Sequence, residues 1–202
     1  MESEKIVESL IKKHYSGLNA NNYDSRSTNK KWQFEQRIVE NFIMNNSDIE
    51  TIIDAPLGTN RFNDVFERAD HINVVYGYEY SDDMIAQAKK KISSKLNIKK
   101  WDLIEAPIKK KADLSLIIRM LNLFPQEHSL SILNNVLTAT KKYCILTLRC
   151  WDKDPVLEQN KIYVQNENIF MNFISEAGFK VIKSQSIDTK VSGTYKVITV
   201  SR

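Results

Sequence analysis

Residues 51 to 62 read TIIDAPLGTNRF, a short apolar run that ends in an acid and leads into a turn with one glycine. The pattern predicts a buried strand, a glycine-containing turn and the start of a helix, which is the layout of many nucleotide-binding sites. The dinucleotide fingerprint is G-x-G-x-x-G, whereas Pro56, Gly58 and Asn60 occupy this turn. The stretch therefore predicts an α/β fold with a nucleotide-like ligand at the end of its first strand.

The residues of the turn narrow the class of ligand. Gly58 has no side chain, so a ligand can approach the backbone closely there. Asn60 can adopt a left-handed conformation or cap the next helix. Pro56 offers no backbone N–H, and a pyrophosphate is held mainly by such groups. The turn therefore argues against NAD.

Strand and helix patterns alternate along the rest of the chain. Strand patterns lie at residues 50–54, 72–79, 97–102, 113–119 and 142–149, and helical patterns at residues 81–96, 126–140 and 165–177. Two final β-rich runs, FKVIKSQSI and TYKVITVSR, predict an antiparallel hairpin at the sheet edge. The expected fold class is α/β, a Rossmann-like doubly wound, mainly parallel seven-stranded sheet with this C-terminal hairpin and with N-terminal helices.

The chain before the first strand is predicted to be helical. Helical patterns occur at residues 5–18 and 29–45, and the polar stretch GLNANNYDSRST between them predicts a loop or lid. A chain of 202 residues with 42% hydrophobic residues is long enough for one core. We expect a single domain over residues 1–202, with a helical cap or lid at 1–48 and the sheet core at 49–202.

The sequence was also searched for membrane segments, signal segments and cysteine patterns typical of metal sites. No apolar signal segment occurs, nor any run of about 18 apolar residues that could span a bilayer. We therefore expect a soluble, cytoplasmic protein. Cys144 and Cys150 show no spacing typical of a metal site, so neither a disulfide nor a bound metal is expected.

The lysine clusters raise the question of a nucleic acid partner. Lysines group at residues 89–91, 99–100, 109–111 and 141–142, and the net charge is +4. The acids nevertheless number 25 against 29 bases, and no aromatic residues alternate with the lysines within these groups. Nucleic acid is thus a possible partner that the pattern does not favour, because solvated helix faces and loops account for the same clusters.

Polar side chains close four successive apolar runs. Asp54, Glu79, Asp102 and Arg119 all stand at predicted carboxyl ends of strands, where open α/β sheets bind their ligands. Any one of these residues could be a solvent-facing loop residue, but the four together predict a ligand-binding site. Glu79 follows Gly58 by 21 positions, about where an acid that binds ribose hydroxyls is expected. Such an acid disfavours a 2′-phosphate, and hence NADP.

Four stretches also resemble motifs of a known family in their order. The first strand and turn, IIDAPLGTNRF, resemble the pattern (V/L)LD-x-x-x-GTGR(F), and VVYGYEYSDDMIAQAKKK resembles a Gly-x-acid followed by a hydrophobic-Ala helix. KKWDLIEAPI resembles the third motif, an aspartate beside apolar residues. EAGFKVI resembles the AGF turn that precedes the terminal hairpin. From about residue 30 to 202 the chain resembles a class I S-adenosylmethionine-dependent methyltransferase.

The resemblance implies S-adenosylmethionine as cofactor and assigns roles to individual residues. Asp54 and Gly58 would line the methionine end, Glu79 would hold the ribose, Tyr80 and Met84 would pack near the adenine, and Asp102 with Leu103 would read its edge. In the loop before the first strand, Tyr23 and Arg26 are candidates to fold over the ligand, Arg26 pairing the carboxylate, although an exposed loop arginine fits equally well. The predicted cofactor-binding set is Asp54, Ala55, Pro56, Gly58, Thr59, Glu79, Tyr80, Met84, Asp102, Leu103, Arg119, Tyr23 and Arg26.

The implied activity is methyl transfer to a small-molecule, sugar or lipid-linked acceptor. No acid-Pro-Pro-aromatic motif follows strand four and no Pro-Cys pair occurs, so nucleobases are not expected acceptors. Arg119 and His128 are candidate catalytic residues, though a lone His near a helix start is more often structural. Two alternatives stay open: a lyase or hydrolase that cleaves the cofactor, and a non-catalytic cofactor-binding subunit.

Overall fold

The structure is a computed structural model that describes residues 15–91, 93–151, 163–188 and 194–202. The chain divides into two compact units, an N-terminal unit (Met1–Asp102) and a C-terminal unit (Leu103–Arg202). The single domain with a cap at residues 1–48 stays a prediction. Of the predicted helix at residues 5–18, the part up to residue 14 lies outside the described residues.

The N-terminal unit has a parallel sheet with helices between its strands. Its elements are α1 (Leu18–Asn21), a 3₁₀ helix (Tyr23–Thr28), α2 (Lys30–Asn45), β1 (Thr51–Asp54), α3 (Asn63–Arg68), β2 (Val74–Glu79), α4 (Asp82–Ala88) and β3 (Leu96–Lys100). The strand β2 pairs in parallel with β1 on one side and β3 on the other. Parallel pairing brings the carboxyl ends of these strands to one edge, as the alternation predicted.

Segment 17–28, predicted to be a loop or lid, contains two short helices, α1 and the 3₁₀ helix, so the prediction of an irregular loop was wrong, and a lid role stays a prediction. The reason is burial, because Ala20 and Tyr23 form a hydrophobic cluster with Trp32 and Met84, against which Tyr15 packs. The ring centroid of Tyr23 lies 6.0 Å from that of Tyr15 and 5.5 Å from that of Trp32. Three apolar residues in a polar stretch of twelve were too few to signal this order.

The helix α4 is shorter than predicted but begins as predicted. Ser81 caps it, since its hydroxyl oxygen accepts from the backbone N–H of Met84 at 3.3 Å. The helix ends at Ala88 rather than near residue 96. Beyond it, the Lys95 ammonium donates to the carbonyl oxygens of Phe66, Glu67 and Ala69 at 2.9, 3.2 and 3.0 Å. These bonds attach the residue just before β3 to the end of α3.

The C-terminal unit combines parallel and antiparallel strands. Its elements are β4 (Ala112–Ile117), a 3₁₀ helix (Leu121–Leu123), α5 (Gln126–Leu137), β5 (Thr140–Trp151), β6 (Gln165–Asn166), α6 (Glu167–Glu176), β7 (Lys180–Asp188) and β8 (Thr194–Ser201). The order is β4-β5-β8-β7, with β6 also beside β5. The strands β4 and β6 run parallel to β5, whereas β8 is antiparallel to both β5 and β7.

The structure confirms the α/β class and the antiparallel C-terminal pair β7–β8. Over the described residues there are eight strands, one more than predicted, because the two-residue β6 forms where the start of a helix was expected. Cys144 and Cys150 on β5 are buried and form no disulfide, and burial raises the pKa of Cys144. No helix in the described ranges combines the length and apolar character needed to cross a membrane.

Candidate functional site

The turn after β1 adopts the backbone that its sequence indicated. Gly58 and Asn60 have positive φ angles of 59° and 56°, which confirms that Asn60 adopts a left-handed conformation here. The N–H of Asn60 donates to the carbonyl oxygen of Leu57 at 3.1 Å, and the N–H of Leu57 donates to that of Tyr78 at 2.8 Å. The turn is therefore anchored to the carboxyl end of β2.

Gly77 leaves space for leucine side chains where this turn meets β2. A Cβ atom at Gly77 would lie 2.8 Å from Leu57 Cδ2 and 3.1 Å from Leu96 Cδ1. Both distances are shorter than ordinary van der Waals contact, so a larger residue at position 77 would require the Leu57 and Leu96 side chains to shift. The glycine of the Gly-x-acid pattern thus provides space for an apolar side chain of the preceding turn.

The Glu79 carboxylate holds the turns after β1 and β2 together. Its Oε2 accepts from the N–H of Gly58 at 2.9 Å, and its Oε1 accepts from the N–H groups of Tyr80 and Ser81, both at 2.9 Å. Glu79 is 7% exposed. Burial raises the pKa of Glu79, while its three backbone hydrogen bonds lower it in part. An ionised carboxylate has about four acceptor positions, so roughly one is left for another donor.

Asp54 ends β1 as a buried acid with an oxygen that has no hydrogen bond. Its side chain is 1% exposed, and Oδ2 has no hydrogen-bond partner among the described residues. Burial raises the pKa of Asp54 well above its ordinary value of 3.8, the positive charge of Arg61 opposes this, and the charge of Glu79 adds to it. A buried carboxylate in this condition favours a cationic or proton-donating partner.

Arg61 and Glu35 form a buried ion pair beside this acid. Arg61 Nη2 lies 2.8 Å from Glu35 Oε2, with the side chains 9% and 0% exposed. The pair is a charge contact without hydrogen-bond alignment. The guanidinium carbon lies 4.4 Å from the ring centroids of both Trp32 and Phe62, which is within cation–π range. Arg61 therefore brings a fixed positive charge close to Asp54.

The segment from Tyr15 to Thr28 contacts the starts of α4 and of the β1 turn. The Ser81 hydroxyl donates to the carbonyl oxygen of Tyr15 at 2.6 Å, and the N–H of Gly17 donates to Asp83 Oδ2 at 2.8 Å. Further along, the Asp24 carboxylate accepts from the Thr59 hydroxyl and pairs with Lys91 Nζ at 2.9 Å. This segment is thus attached to the unit by polar bonds as well as by its aromatic cluster.

Two candidates in this segment differ in their surroundings. Tyr23 is 8% exposed and packs within the aromatic cluster, whereas Arg26 is exposed. The Arg26 guanidinium carbon lies 4.8 Å from the Tyr23 ring centroid. The geometry thus places Arg26 on an aromatic ring at the surface, and its pairing with a ligand carboxylate stays a prediction.

The candidates for the adenine end lie at the carboxyl ends of β2 and β3. Met84 is 1% exposed, and its Cε would lie 3.7 Å from a Cβ at Gly58. Tyr80 and Asp102 are half-buried. The N–H of Trp101 donates to the carbonyl oxygen of Glu79 at 3.0 Å. The N-terminal unit thus gathers most of the predicted cofactor residues around the ends of β1, β2 and β3.

The remaining candidates belong to the C-terminal unit. Leu103 is buried, and its carbonyl oxygen accepts from Asn135 Nδ2 at 2.8 Å. Arg119 follows β4 with a φ of 62° and is half-buried. His128 lies in the first turn of α5, and its Nδ1 is buried without a hydrogen-bond partner among the described residues. The C-terminal unit by itself therefore holds both catalytic candidates.

Comparisons with known proteins address the fold. No protein family model and no curated protein matches the sequence. Solved structures do match. Magnesium protoporphyrin IX methyltransferase (ChlM) from Synechocystis PCC 6803 with bound SAM gives a TM-score of 0.76 at 12% identity, covering 96% of this chain and 96% of that chain. The DhpI–SAH complex gives 0.70 at 15% identity, covering 98% and 97%.

Human N-acetylserotonin methyltransferase in complex with SAM gives a TM-score of 0.69 at 15% identity, covering 96% of this chain but 59% of that longer chain. The chain has the class I S-adenosylmethionine-dependent methyltransferase fold. At identities of 12 to 15% the likeness concerns the fold alone. The charged residues around Asp54 are described from the structure of this chain and are not taken from the compared proteins.

Sequence reasoning missed the pair Glu35–Arg61. Two signals were present. Arg61 stands within the motif GTNRF, and Glu35 lies on the same face of α2 as Trp32, Ile38 and Val39. An acid on the apolar face of an amphipathic helix indicates a buried cation as its partner. The partner itself, 26 positions away, was not identifiable from the spacing.

Proposed function

We propose that this protein binds S-adenosylmethionine and transfers its methyl group to a small-molecule acceptor. The observation that carries the proposal is the buried Asp54 carboxylate, whose Oδ2 lacks a hydrogen-bond partner among the described residues. Asp54 and Glu79 end neighbouring strands in a fold that the methyltransferase ChlM and the protein of the DhpI–SAH complex also have. A ligand with positive charge and no phosphate matches two such carboxylates.

The residues present fit this cofactor. Asp54 would meet the positively charged methionine end, and Gly58 would allow the ligand to approach the turn backbone. Glu79 would accept one ribose hydroxyl through its remaining acceptor position, rather than both as a free carboxylate would, because three positions are used by backbone N–H groups. Ala55, Pro56 and Thr59 complete the turn. Tyr80, Met84, Asp102 and Leu103 are the adenine candidates, and Tyr23, Arg26 and Arg119 the outer ones.

The protein's proposed role in the reaction is mainly to position the reactants. When bound, the cofactor supplies a methyl group already activated by its positively charged sulfur. The chain contributes proximity and orientation, which the hydrogen bonds of Glu79 prepare by holding the two turns in place. The buried carboxylate of Asp54 stabilises positive charge without reorganising. For an acceptor hydroxyl, His128 is the candidate base through its buried Nδ1.

The surface charges support a small-molecule acceptor over nucleic acid. Several of the clustered lysines already pair with acids of the chain: Lys91 with Asp24, Lys100 with Asp82 at 2.6 Å, and Lys142 with Asp113 at 3.8 Å. A path for nucleic acid needs cations that are available to phosphates. We therefore infer a small-molecule, sugar or lipid-linked acceptor.

Calorimetry tests the cofactor. S-adenosylmethionine and S-adenosylhomocysteine are expected to bind in preference to NAD and ATP. Asp54→Asn should weaken binding of S-adenosylmethionine by about 1–3 kcal/mol, since one buried charge interaction is lost. The matched control is Asp64→Asn, an exposed acid in the first turn of α3, which should change nothing. Binding of NAD without binding of either sulfur ligand would overturn the assignment.

A second measurement separates transfer from cleavage of the cofactor. Enzyme and S-adenosylmethionine are incubated without acceptor, and the products are identified by mass. Methyl transfer predicts almost no turnover, with S-adenosylhomocysteine as the product of any slow loss. Rapid formation of methylthioadenosine would favour a lyase instead. A folded protein that binds the cofactor but consumes none with any acceptor would be a binding subunit.

A further inference from the structure

Basic side chains collect at one edge of the C-terminal unit. The strands β4 and β5 are parallel, so their amino ends lie at the same edge of the sheet. Because β8 is antiparallel to both β5 and β7, its carboxyl end and the amino end of β7 lie there too. Of the described residues at or next to these strand ends, seven are cationic and form what we call the basic edge: Lys109, Lys110, Lys111, Lys141, Lys142, Lys180 and Arg202.

Hydrogen bonds and the strand register join these residues across four strands. The Lys111 ammonium donates to the carbonyl oxygen of Thr138, just before β5. The N–H of Arg202, which follows β8, donates to the carbonyl oxygen of Lys142 on β5 at 2.8 Å. Lys180 is paired with the last residue of β8, next to Arg202. Adjacent strands lie about 4.8 Å apart, so the four strand ends span roughly 14 Å.

Positive charge exceeds negative charge at the basic edge. In the described part of the chain, the acids at these strand ends are Asp113 on β4 and Glu176, which ends α6 shortly before β7. Asp113 Oδ1 lies 3.8 Å from the Nζ atoms of both Lys141 and Lys142, so one carboxylate is shared by two ammonium groups. Six of the seven cations are exposed, and Lys142 is half-buried. The edge therefore presents a net positive charge to solvent.

Exposed apolar side chains continue the basic edge along β7. Val181 and Ile182 directly follow Lys180 and are 43% and 51% exposed. The register between β7 and β8 shifts between Val181 and Lys183, so Ile182 lies in a bulge outside the regular pairing. Aliphatic side chains exposed beside lysines are typical of surfaces that lie in the interface of a membrane.

An anionic lipid surface matches both the charge and the apolar residues. Its field attracts a group of lysines as a whole, so a single lysine–acid pair does not cancel the attraction. Single-stranded nucleic acids instead stack their bases on exposed aromatic rings, whereas Phe179 beside this edge is 2% exposed and Tyr143 is half-buried. We propose that the basic edge, together with Val181 and Ile182, docks the protein onto membranes that contain anionic phospholipids.

This docking surface is separate from the candidate site. Arg119 follows the carboxyl end of β4, whereas the basic edge lies at the amino end of that strand. The six residues of β4 extend over about 20 Å at roughly 3.3 Å per residue. Docking therefore leaves the carboxyl ends of β4 and β5 uncovered, and it requires neither cofactor binding nor methyl transfer.

Vesicle sedimentation with the full chain tests the docking surface. The vesicles consist of phosphatidylcholine alone or of an equimolar mixture of phosphatidylcholine and phosphatidylserine. The wild-type protein should sediment with the mixed vesicles but not with phosphatidylcholine alone, and added salt should release it by screening the attraction. Equal binding to both kinds of vesicle, or binding to neither, would overturn the proposal without the need for any variant.

Variants identify the surface that binds. Lys109→Gln combined with Lys180→Gln should weaken binding to the mixed vesicles about tenfold or more, because each lysine near an anionic membrane contributes about fivefold. Lys30→Gln combined with Lys99→Gln is the matched control, since it removes the same charge at two exposed positions of the N-terminal unit and should have little effect. Ile182→Ser keeps the charge and should weaken binding several-fold. Thermal melts verify that each variant is folded.

The remaining outcomes distinguish a membrane from another anionic partner. A labelled RNA duplex is titrated into the same samples. Duplex binding that depends on Lys109 and Lys180 but not on Ile182, without vesicle binding, would make nucleic acid the partner and reject the membrane. Equal vesicle affinities of the two double variants would show that total charge suffices and would reject the basic edge. Because no sample contains S-adenosylmethionine, failure of the proposed function leaves these results unchanged.

Discussion

Replacing Glu79 with alanine removes the acceptor of three backbone N–H groups, those of Gly58, Tyr80 and Ser81. A hydrogen bond to a charged group contributes about 1.5–3 kcal/mol. The full sum is not expected, because burial of the Glu79 charge offsets part of it and water can enter the truncated site. We expect the free energy of unfolding without ligand to fall by about 2–4 kcal/mol, a large share of the roughly 5–15 kcal/mol typical of a domain.

Urea unfolding of the ligand-free protein measures this change, with two control variants. Glu79→Gln keeps an oxygen acceptor but lacks the charge, so its loss should be about 1–2 kcal/mol. Glu40→Ala removes a surface ion pair with Arg68 and should lose less than about 1 kcal/mol. If Glu79→Ala is no less stable than Glu40→Ala, the carboxylate does not hold the two turns together.

Three further predictions concern the same unit. Burial raises the pKa of Asp54 above 3.8, so its contribution to stability is fully present below that pH and is lost as pH rises through the raised pKa. The melting temperature of Asp54→Asn should therefore increase relative to that of the wild type from pH 4 to pH 8. A difference in melting temperature that does not depend on pH would contradict this. Arg61→Met should cost about 3–5 kcal/mol by removing the cation that lies 2.8 Å from the buried Glu35 carboxylate, and adding Glu35→Met should recover most of this loss in denaturant melts. Gly77→Ala should lower the free energy of unfolding by about 1–3 kcal/mol through overpacking against Leu57. A double-mutant cycle with Leu57→Ala should show strong coupling between the two positions. Additive losses would show that the strain does not come from Leu57.

The parts of the fold that local pattern determines were predictable from the sequence. The alternation of apolar runs predicted the parallel strands and the C-terminal antiparallel pair, because burial on both faces requires such runs. Ser81 as a helix cap and Asn60 in a left-handed conformation also follow from local chemistry. These features depend on a few neighbouring residues, which is why they can be read without tertiary contacts.

The parts that depend on distant partners were not predictable. The three bonds of Glu79 depend on where backbone N–H groups of two turns point, and no residue identity encodes that. The Glu35–Arg61 pair joins a helix to a turn 26 positions later. The order in segment 17–28 rests on packing against Met84, more than fifty positions away in sequence. Tertiary contacts of this kind override local polarity.

The attachment of segment 15–28 affects the expected lifetime of the protein–ligand complex. Two of its contacts, at Met84 and at Thr59, are with residues proposed to hold the cofactor, and two more engage the start of α4. A molecule entering or leaving at these residues has to wait until the segment detaches, so the lifetime of the complex would follow the opening rate of the segment. Removing the Asp24 carboxylate would then shorten the residence time of the ligand, with a smaller effect on its rate of arrival if capture precedes closure.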